Sequence, residues 1–163
     1  MAKTDRAVKT NAVRILEKEK VPYELMTYTI NDGLLDGISV AEKTGQAVDS
    51  VYKTLVTTGG KKELFVFLIP VALELDLKKA AQVAGVKKVE MLPLKDLTKE
   101  TGYVRGGCSA VGMKRQYPTF IDETAMNLDK MIVSAGKPGV QMSLVPTGLA
   151  MVTDATFHDI VKS

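Results

Sequence analysis

Two stretches rich in β-branched and aromatic residues, separated by a pair of glycines, constrain the fold of this chain more than any other feature. The first covers residues 51–57 and the second residues 64–69, with Gly59 and Gly60 between them. Such side chains pack well on a pleated sheet, and paired glycines suit the tight turn of a hairpin. The pattern predicts a β-hairpin with Lys53 on its first strand.

Helix signals are clearest at residues 77–84, where Asp76 can cap the first turn and Gly85 suits the left-handed residue that ends a helix. Four more helices are predicted, at residues 8–19, 40–44, 93–102 and 148–154. Their start signals include the capping box of Ser39 and Glu42, Pro93, and Thr147 as a cap for the last helix.

Other strand patterns lie at residues 23–28, 86–91, 119–122, 130–133 and 140–145, and residues 31–33 (NDG) form a predicted turn. Strands outnumber helices, and the two types do not alternate strictly. We therefore expect an α+β fold, with a single domain over residues 1–163 that contains a curved mixed β-sheet flanked by short helices.

Length and composition exclude several classes of protein. The 163 residues match one domain. No apolar run approaches the roughly 18 residues of a membrane helix, and the N-terminus lacks the apolar core of a signal peptide. We expect no membrane association and a cytoplasmic location. One cysteine and one histidine cannot form a structural zinc site, so no zinc and no cofactor is predicted; a carboxylate-only magnesium site stays open.

The net charge is only +3, but basic residues crowd the middle third of the chain, from Lys78 to Arg115. Such a cluster can attract polyanions, although lysines on polar helix faces are also ordinary solubilising residues. The charge pattern alone leaves both interpretations open.

A glycine-rich segment at residues 102–112 (GYVRGGCSAVG) is the first candidate for a working site. Four glycines in eleven residues allow the backbone to approach a ligand and to aim amide groups at a phosphate, a carboxylate or a developing oxyanion. The segment does not match a P-loop, because no Gly-Lys-Ser/Thr follows at the required spacing. Glycines between secondary elements are also often purely structural.

Three further features are candidates for catalysis or ligand binding. Lys53 lies in an apolar strand, where it is either an exposed side chain or a fixed positive charge for an anionic ligand. Residues 134–139 (SAGKPG) form a small-residue turn whose Ser134 could orient a substrate. Cys108 and His158 are unique, but no local motif accompanies either, so we interpret both as structural.

Together these segments are more specific than any one of them. Residues 51–55 (VYKTL), 87–90 (KKVE), 101–103 (TGY), 105–114 (RGGCSAVGMK) and 134–139 occur in the order seen in the YbaK/EbsC family. The chain resembles the bacterial Cys-tRNA(Pro) deacylases of this family, which are related to the editing domain of prolyl-tRNA synthetases. The resemblance runs from the strand at Pro22 to the C-terminus.

The resemblance implies a YbaK-like fold and a free-standing hydrolase of mischarged tRNA, chiefly Cys-tRNA(Pro), with Cys-tRNA(Cys) as a further substrate. It makes a partnership with prolyl-tRNA synthetase plausible, and also a lyase-type route in which the substrate's own thiol attacks. Lys53 matches the central functional lysine of the family. The pocket residues that the resemblance implies are Tyr28, Gly106, Gly107, Ser109, Ser134 and Gly136.

Two departures keep other functions open. Ala110 stands where the family usually has proline, and Pro138 stands where it usually has arginine, a possible phosphate contact. A non-catalytic module that binds a tRNA end or a nucleotide is therefore one alternative. A deacylase for another mischarged tRNA, such as Ala-tRNA(Pro), is the other.

Overall fold

The computed structural model describes residues 9–28, 41, 45–60 and 63–163. The predicted turn at residues 31–33 and the predicted helix at 40–44, with its Ser39–Glu42 capping box, fall outside the described residues or almost wholly so. Four α-helices lie in the described ranges: α1 (Asn11–Lys18), α2 (Leu77–Ala84), α3 (Leu94–Thr101) and α4 (Pro146–Thr153). Two 3-10 helices cover Val48–Ser50 and Glu123–Asn127.

Eight strands lie in the same ranges: β1 (Glu24–Thr27), β2 (Tyr52–Gly60), β3 (Glu63–Pro70), β4 (Glu90–Met91), β5 (Thr119–Asp122), β6 (Met131–Lys137), β7 (Val140–Leu144) and β8 (Thr156–His158). They form a five-stranded sheet in the order β4-β2-β3-β5-β8 and a three-stranded antiparallel sheet in the order β1-β7-β6. The larger sheet is mixed, since β3, β5 and β8 are parallel to one another. The α+β prediction is confirmed, with the strands divided between two sheets that meet at a bridge between Val51 and Ile132.

The central hairpin is confirmed. Strands β2 and β3 pair antiparallel, with Lys53 opposite Ile69, and the register shifts between Thr58 and Gly60. Gly59 has no room for a side chain, because a Cβ there would lie 2.9 Å from the ring of Phe65. Gly59 therefore serves the close packing of the hairpin end, whereas Gly60 has open space around it and adopts a φ of +90°.

The two faces of this hairpin belong to different apolar cores. Tyr52 and Val56 join the larger cluster between the two sheets, which α1 and α4 help to close with Leu16 and Leu149. Phe65, Phe67 and Ile69 join a second cluster beneath α2. Alternation along the strands sends successive side chains into opposite cores, so the hairpin is buried on both sides.

Helix α2 behaves as predicted. The Asp76 carboxylate accepts hydrogen bonds from the backbone amides of Lys78 (2.9 Å) and Lys79 (3.1 Å), and Gly85 ends the helix with φ +76°. Helix α4 differs from the prediction: it begins at Pro146, with Val145 as its N-cap, so Thr147 lies inside the first turn and does not cap it. The predicted strand at 86–91 pairs only at its end, as β4.

Across the part of the chain that the structure describes, no helix is long and apolar enough to cross a membrane. Nor do those residues include a group of three or more His, Cys, Asp or Glu side chains placed to hold a metal ion.

Candidate active site

A cavity of about 150 Å³ opens where the start of β2 meets the three-stranded sheet and the glycine-rich segment. Its lining residues come from the end of β1, the start of β2, the sheet strands β6 and β7, and two loops: Tyr28, Val51, Tyr52, Lys53, Thr54, Val71, Gly106, Cys108, Ser134 and Gln141. Four of the predicted site residues, Lys53, Tyr28, Gly106 and Ser134, therefore meet in one cavity.

Lys53 supplies the positive charge of this cavity. It is half-buried, and no carboxylate of the described residues forms an ion pair with it. The charge of Lys53 also affects Glu74. The pKa of the Glu74 carboxyl is lowered, first by its hydrogen bond with Lys162 and to a smaller extent by Lys53. The ammonium group of Lys53 is thus available to an anionic or electron-rich ligand group.

The turn after Ser134 leaves the serine hydroxyl able to donate a hydrogen bond. The backbone amide of Gly136 donates to Ser134 Oγ at 3.2 Å, which uses the oxygen as an acceptor and leaves O–H free to donate. Gly136 itself packs behind the site, with φ +100°, and a Cβ there would lie 2.9 Å from the ring of Tyr103.

The glycine-rich segment divides into a cavity face and a packed interior. Gly106 and Cys108 line the cavity, whereas Gly107 turns away and packs against the Ser134 turn, where a Cβ would lie 2.5 Å from Pro138 Cδ. The Gly107 amide donates to the Val104 carbonyl oxygen at 3.0 Å. Ser109 is fully buried, and its Oγ accepts from the Val111 amide at 3.1 Å. Gly107, Ser109 and Gly136 therefore support the cavity wall from behind.

Cys108 lines the cavity as a neutral thiol. Burial raises its pKa to about 11, an effect that a hydrogen bond with Thr101 offsets only in part. His158 lies on β8, where its Nε2 pairs with Thr156 Oγ1 at 2.7 Å. The thiol therefore lacks the lowered pKa of a nucleophilic cysteine and has no pairing with the only histidine of the chain.

Two buried oxygens of residues in the cavity wall, Thr54 Oγ1 and Gln141 Oε1, have no hydrogen-bond partner among the described residues. A buried polar atom without a partner costs about 1–3 kcal/mol, so nearly all such atoms in proteins are paired. Both atoms can accept a hydrogen bond, and both belong to residues that line the cavity.

A contrasting, fully paired network lies beside this cavity. The Tyr52 hydroxyl is 2.7 Å from Thr124 Oγ1, which donates to the buried Asp122 carboxylate at 2.6 Å. The other Asp122 oxygen accepts from the Ile160 amide at 3.1 Å. Because the Thr124 proton goes to Asp122, the Tyr52 hydroxyl is the donor to Thr124; burial is the main cause of its raised pKa.

Comparison with known proteins identifies the family. Residues 37–151 match the model of the aminoacyl-tRNA editing domain. The chain belongs to this editing-domain family. It is 48% identical over 160 residues, 98% of each chain, to EbsC of Enterococcus faecalis, which is named as a candidate Cys-tRNA(Pro)/Cys-tRNA(Cys) deacylase.

Solved structures carry the same fold at low sequence identity. A candidate trans-editing enzyme for prolyl-tRNA synthetase superposes with a TM-score of 0.81 at 22% identity, over 96% of this chain and 99% of that one. A hypothetical protein superposes with a TM-score of 0.85 at 17% identity, over 94% and 100% of the two chains. Likeness at these identities establishes the YbaK-like fold of the editing domain.

Within this editing-domain chain, sequence reasoning missed Thr54, Gln141 and the cavity position of Cys108. Thr54 directly follows Lys53, but strand alternation places it on the opposite face, among core residues. Gln141 is a polar residue in a β7 segment that otherwise buries apolar side chains. A glutamine between apolar residues of a strand was the available signal in the sequence. The missing hydrogen-bond partner of its side chain is visible only in the folded structure.

Proposed function

We propose that this chain is a free-standing deacylase that hydrolyses the ester between a wrong amino acid and tRNA, chiefly Cys-tRNA(Pro) and also Cys-tRNA(Cys). The observation that carries the proposal is the cavity in which Lys53 and Ser134 meet two unpartnered acceptor oxygens, in a chain 48% identical to EbsC over nearly its whole length. Such an enzyme acts in translation fidelity, in the cytoplasm, and prolyl-tRNA synthetase is its proposed partner.

The hydrogen-bonding groups of an aminoacyl ester match those of this cavity. The α-ammonium group of the amino acid is a strong hydrogen-bond donor. The unpaired oxygens of Thr54 and Gln141 can each accept a hydrogen bond from one of its N–H groups. The ester carbonyl gains negative charge as it is attacked, and Lys53 with the Ser134 hydroxyl can stabilise that charge. The Gly107 amide already donates to Val104 and is not assigned this contact, which we place on Lys53 and Ser134.

The attacking group comes from the substrate or from water. In the first route the substrate's thiol loses its proton and its sulfur bonds to its own carbonyl carbon. The bond from that carbon to the ribose oxygen then breaks, the ribose oxygen takes up a proton, and a cyclic thiolactone leaves. In the second route water gives free cysteine. Cys108, a neutral thiol with a pKa of about 11, is not assigned the attack.

The test is a deacylation panel with Cys-, Ala- and Ser-tRNA(Pro), run with and without prolyl-tRNA synthetase. Lys53→Ala is expected to lower the rate by about 100-fold or more, as loss of an oxyanion contact does. Lys130→Ala is the matched control, since Lys130 is exposed and paired with Glu24 at the surface. Undiminished turnover by Lys53→Ala would remove Lys53 from the mechanism.

The same panel separates the routes and the alternatives. Substrate-thiol attack requires Ser-tRNA(Pro) to react much more slowly than Cys-tRNA(Pro), whereas equal rates favour water. A preference for Ala-tRNA(Pro) would reassign the substrate. Binding of aminoacyl-tRNA without turnover by the wild type would support the non-catalytic module, the alternative that Ala110 and Pro138 keep open.

A further inference from the structure

An open, mainly apolar groove of about 290 Å³ continues from the cavity along the outside of β2. Its lining residues are Thr54, Leu55, Val56, Met91, Leu92, Leu94, Leu97, Arg105, Gly106 and Cys108. Thr54, Gly106 and Cys108 line both the groove and the cavity, so the two lie directly beside each other.

Exposed apolar side chains collect in this groove. Met91 on β4 is 47% exposed and Leu94 at the start of α3 is 55% exposed. Single exposed apolar residues are ordinary, but a group of them in one concave surface indicates a binding site. This group lies beside the cavity.

The charge of the groove is one-sided. Among the described residues that line it, Arg105 is the single charged one, and none is a carboxylate. A guanidinium beside an apolar surface suits a ligand that is flat and uncharged at one end and anionic at the other. A nucleotide has this construction, with a neutral base and a phosphate.

We propose that the groove holds the 3′-terminal nucleoside of the acylated RNA, with its base against Met91, Leu94 and Leu97 and its 5′-phosphate at Arg105. The inference rests on the proposed function, in which the cavity holds the aminoacyl ester. The alcohol half of that ester is the terminal ribose, so its base and phosphate must lie in the space next to the cavity. Base recognition by apolar and stacking contacts, with a basic group at the phosphate, is common in single-strand binding.

The first experiment locates the base without reference to catalysis. AMP is titrated into protein carrying ¹³C-labelled methionine methyl groups. The Met91 signal is expected to shift in proportion to AMP bound, while Met126 and Met151, which are 66% and 61% exposed outside the groove, stay unchanged. An unmoved Met91 signal at saturating AMP would overturn the inference.

The second experiment separates base from phosphate. The double variant Met91→Ala/Leu94→Ala is expected to bind both AMP and adenosine about tenfold more weakly, as loss of base stacking contacts does. Arg105→Ala is expected to weaken AMP but not adenosine. The matched controls are Met126→Ala/Met151→Ala and Arg14→Ala on α1, all of exposed residues, and they should bind both probes normally.

Deacylation by the same variants keeps the two proposals apart. The groove variants should raise KM for Cys-tRNA(Pro) more than they lower kcat. If the wild type deacylates and the groove variants match it in KM and in AMP affinity, the groove inference fails and the proposed function stands. If the wild type deacylates no substrate, the function fails, while AMP binding still decides the groove. If the groove variants bind AMP normally but no longer bind the synthetase or no longer self-associate, the groove belongs to a protein partner instead.

Discussion

Tyr52 and Thr54 lie two residues apart on the same face of β2, and each carries a hydroxyl group beside the cavity. The Tyr52 hydroxyl belongs to a chain of hydrogen bonds through Thr124 to Asp122, and from there to the Ile160 amide. The Thr54 hydroxyl oxygen is buried and has no partner in the part of the chain that the structure describes, and the same holds for Gln141 Oε1. A protein tolerates unpaired buried oxygens where a ligand supplies the missing donor, so pairing distinguishes the structural hydroxyl from the functional one.

The energetic consequence is opposite for the two groups. Removing one member of a satisfied network leaves its partners buried and unpaired, which costs free energy of unfolding. Removing an oxygen that has no partner takes away a penalty, and the cost appears in ligand binding instead. Substitutions in the two groups should therefore move stability and activity independently.

The largest effect is expected for Asp122→Ala. It leaves the Thr124 hydroxyl and two backbone amides, of Thr124 and Ile160, without their acceptor, and should lower the free energy of unfolding by about 3 kcal/mol. Urea unfolding measures this change, and Asp129→Ala, at an exposed carboxylate, should stay within about 0.5 kcal/mol of wild type. A variant as stable as wild type would show that the network does not anchor the sheet.

The next effect is expected for Gln141→Leu. The substitution removes an unpaired buried carbonyl oxygen and puts an apolar side chain of similar length in its place. The free energy of unfolding should therefore stay the same or rise. Deacylation should fall about tenfold in kcat/KM, because the α-ammonium group loses an acceptor. Gln82→Leu, on the exposed side of α2, is the control for the change of residue type. A stability loss as large as that of Asp122→Ala would contradict the contrast between the two groups.

Two threonines on β2 give a closer comparison. Thr57 is fully buried and its hydroxyl donates to the Phe65 carbonyl oxygen at 3.1 Å, whereas Thr54 Oγ1 has no partner. Thr57→Val should cost about 1 kcal/mol and leave deacylation intact. Thr54→Val should cost no stability and slow deacylation roughly fivefold, the loss of one modest hydrogen bond. Equal behaviour of the two variants in unfolding and in turnover would remove the distinction.

These threonines also show how far sequence reasoning reaches. The β2–β3 hairpin and α2 were predictable because their signals are local: β-branched runs around two glycines, and a helix between Asp76 and Gly85. Thr54 and Thr57 look alike in sequence, since a hydrogen-bond partner is a property of the folded chain. For the same reason the division into two sheets, which meet at the bridge between Val51 and Ile132, had no local signal.

The candidate site was predictable to a similar degree. Lys53, Tyr28, Gly106 and Ser134 were assigned through family order and meet in the cavity. Gly107, taken with Gly106 as one unit, points the other way, because its lack of a side chain admits Pro138 of the facing turn. Which of two adjacent glycines faces a ligand depends on that distant contact.

The smallest effect at neutral pH is expected for Cys108→Ala. The thiol lies at the wall shared by cavity and groove, and burial raises its pKa from 9.0 to about 11, so it is protonated throughout the range where deacylation is assayed. The pH–rate profiles of variant and wild type between pH 6 and about 8.5 should have the same shape. An inflection that disappears with the thiol would instead assign Cys108 a catalytic ionisation.

Unfolding at higher pH supplies the second measurement. The folded state favours the protonated thiol, so this contribution to stability is fully present below about pH 9 and is lost as pH rises toward about 11. Over that interval the wild type should lose stability up to about 1.4 kcal/mol per pH unit more steeply than Cys108→Ala. Tyr103, whose pKa is raised from 10.0 to about 12 by burial and by the neighbouring Cys108, adds a loss of its own above about pH 10, so the interval from pH 9 to 10 isolates the thiol. Parallel curves over that interval would show that the thiol ionises in the folded chain as it does in water.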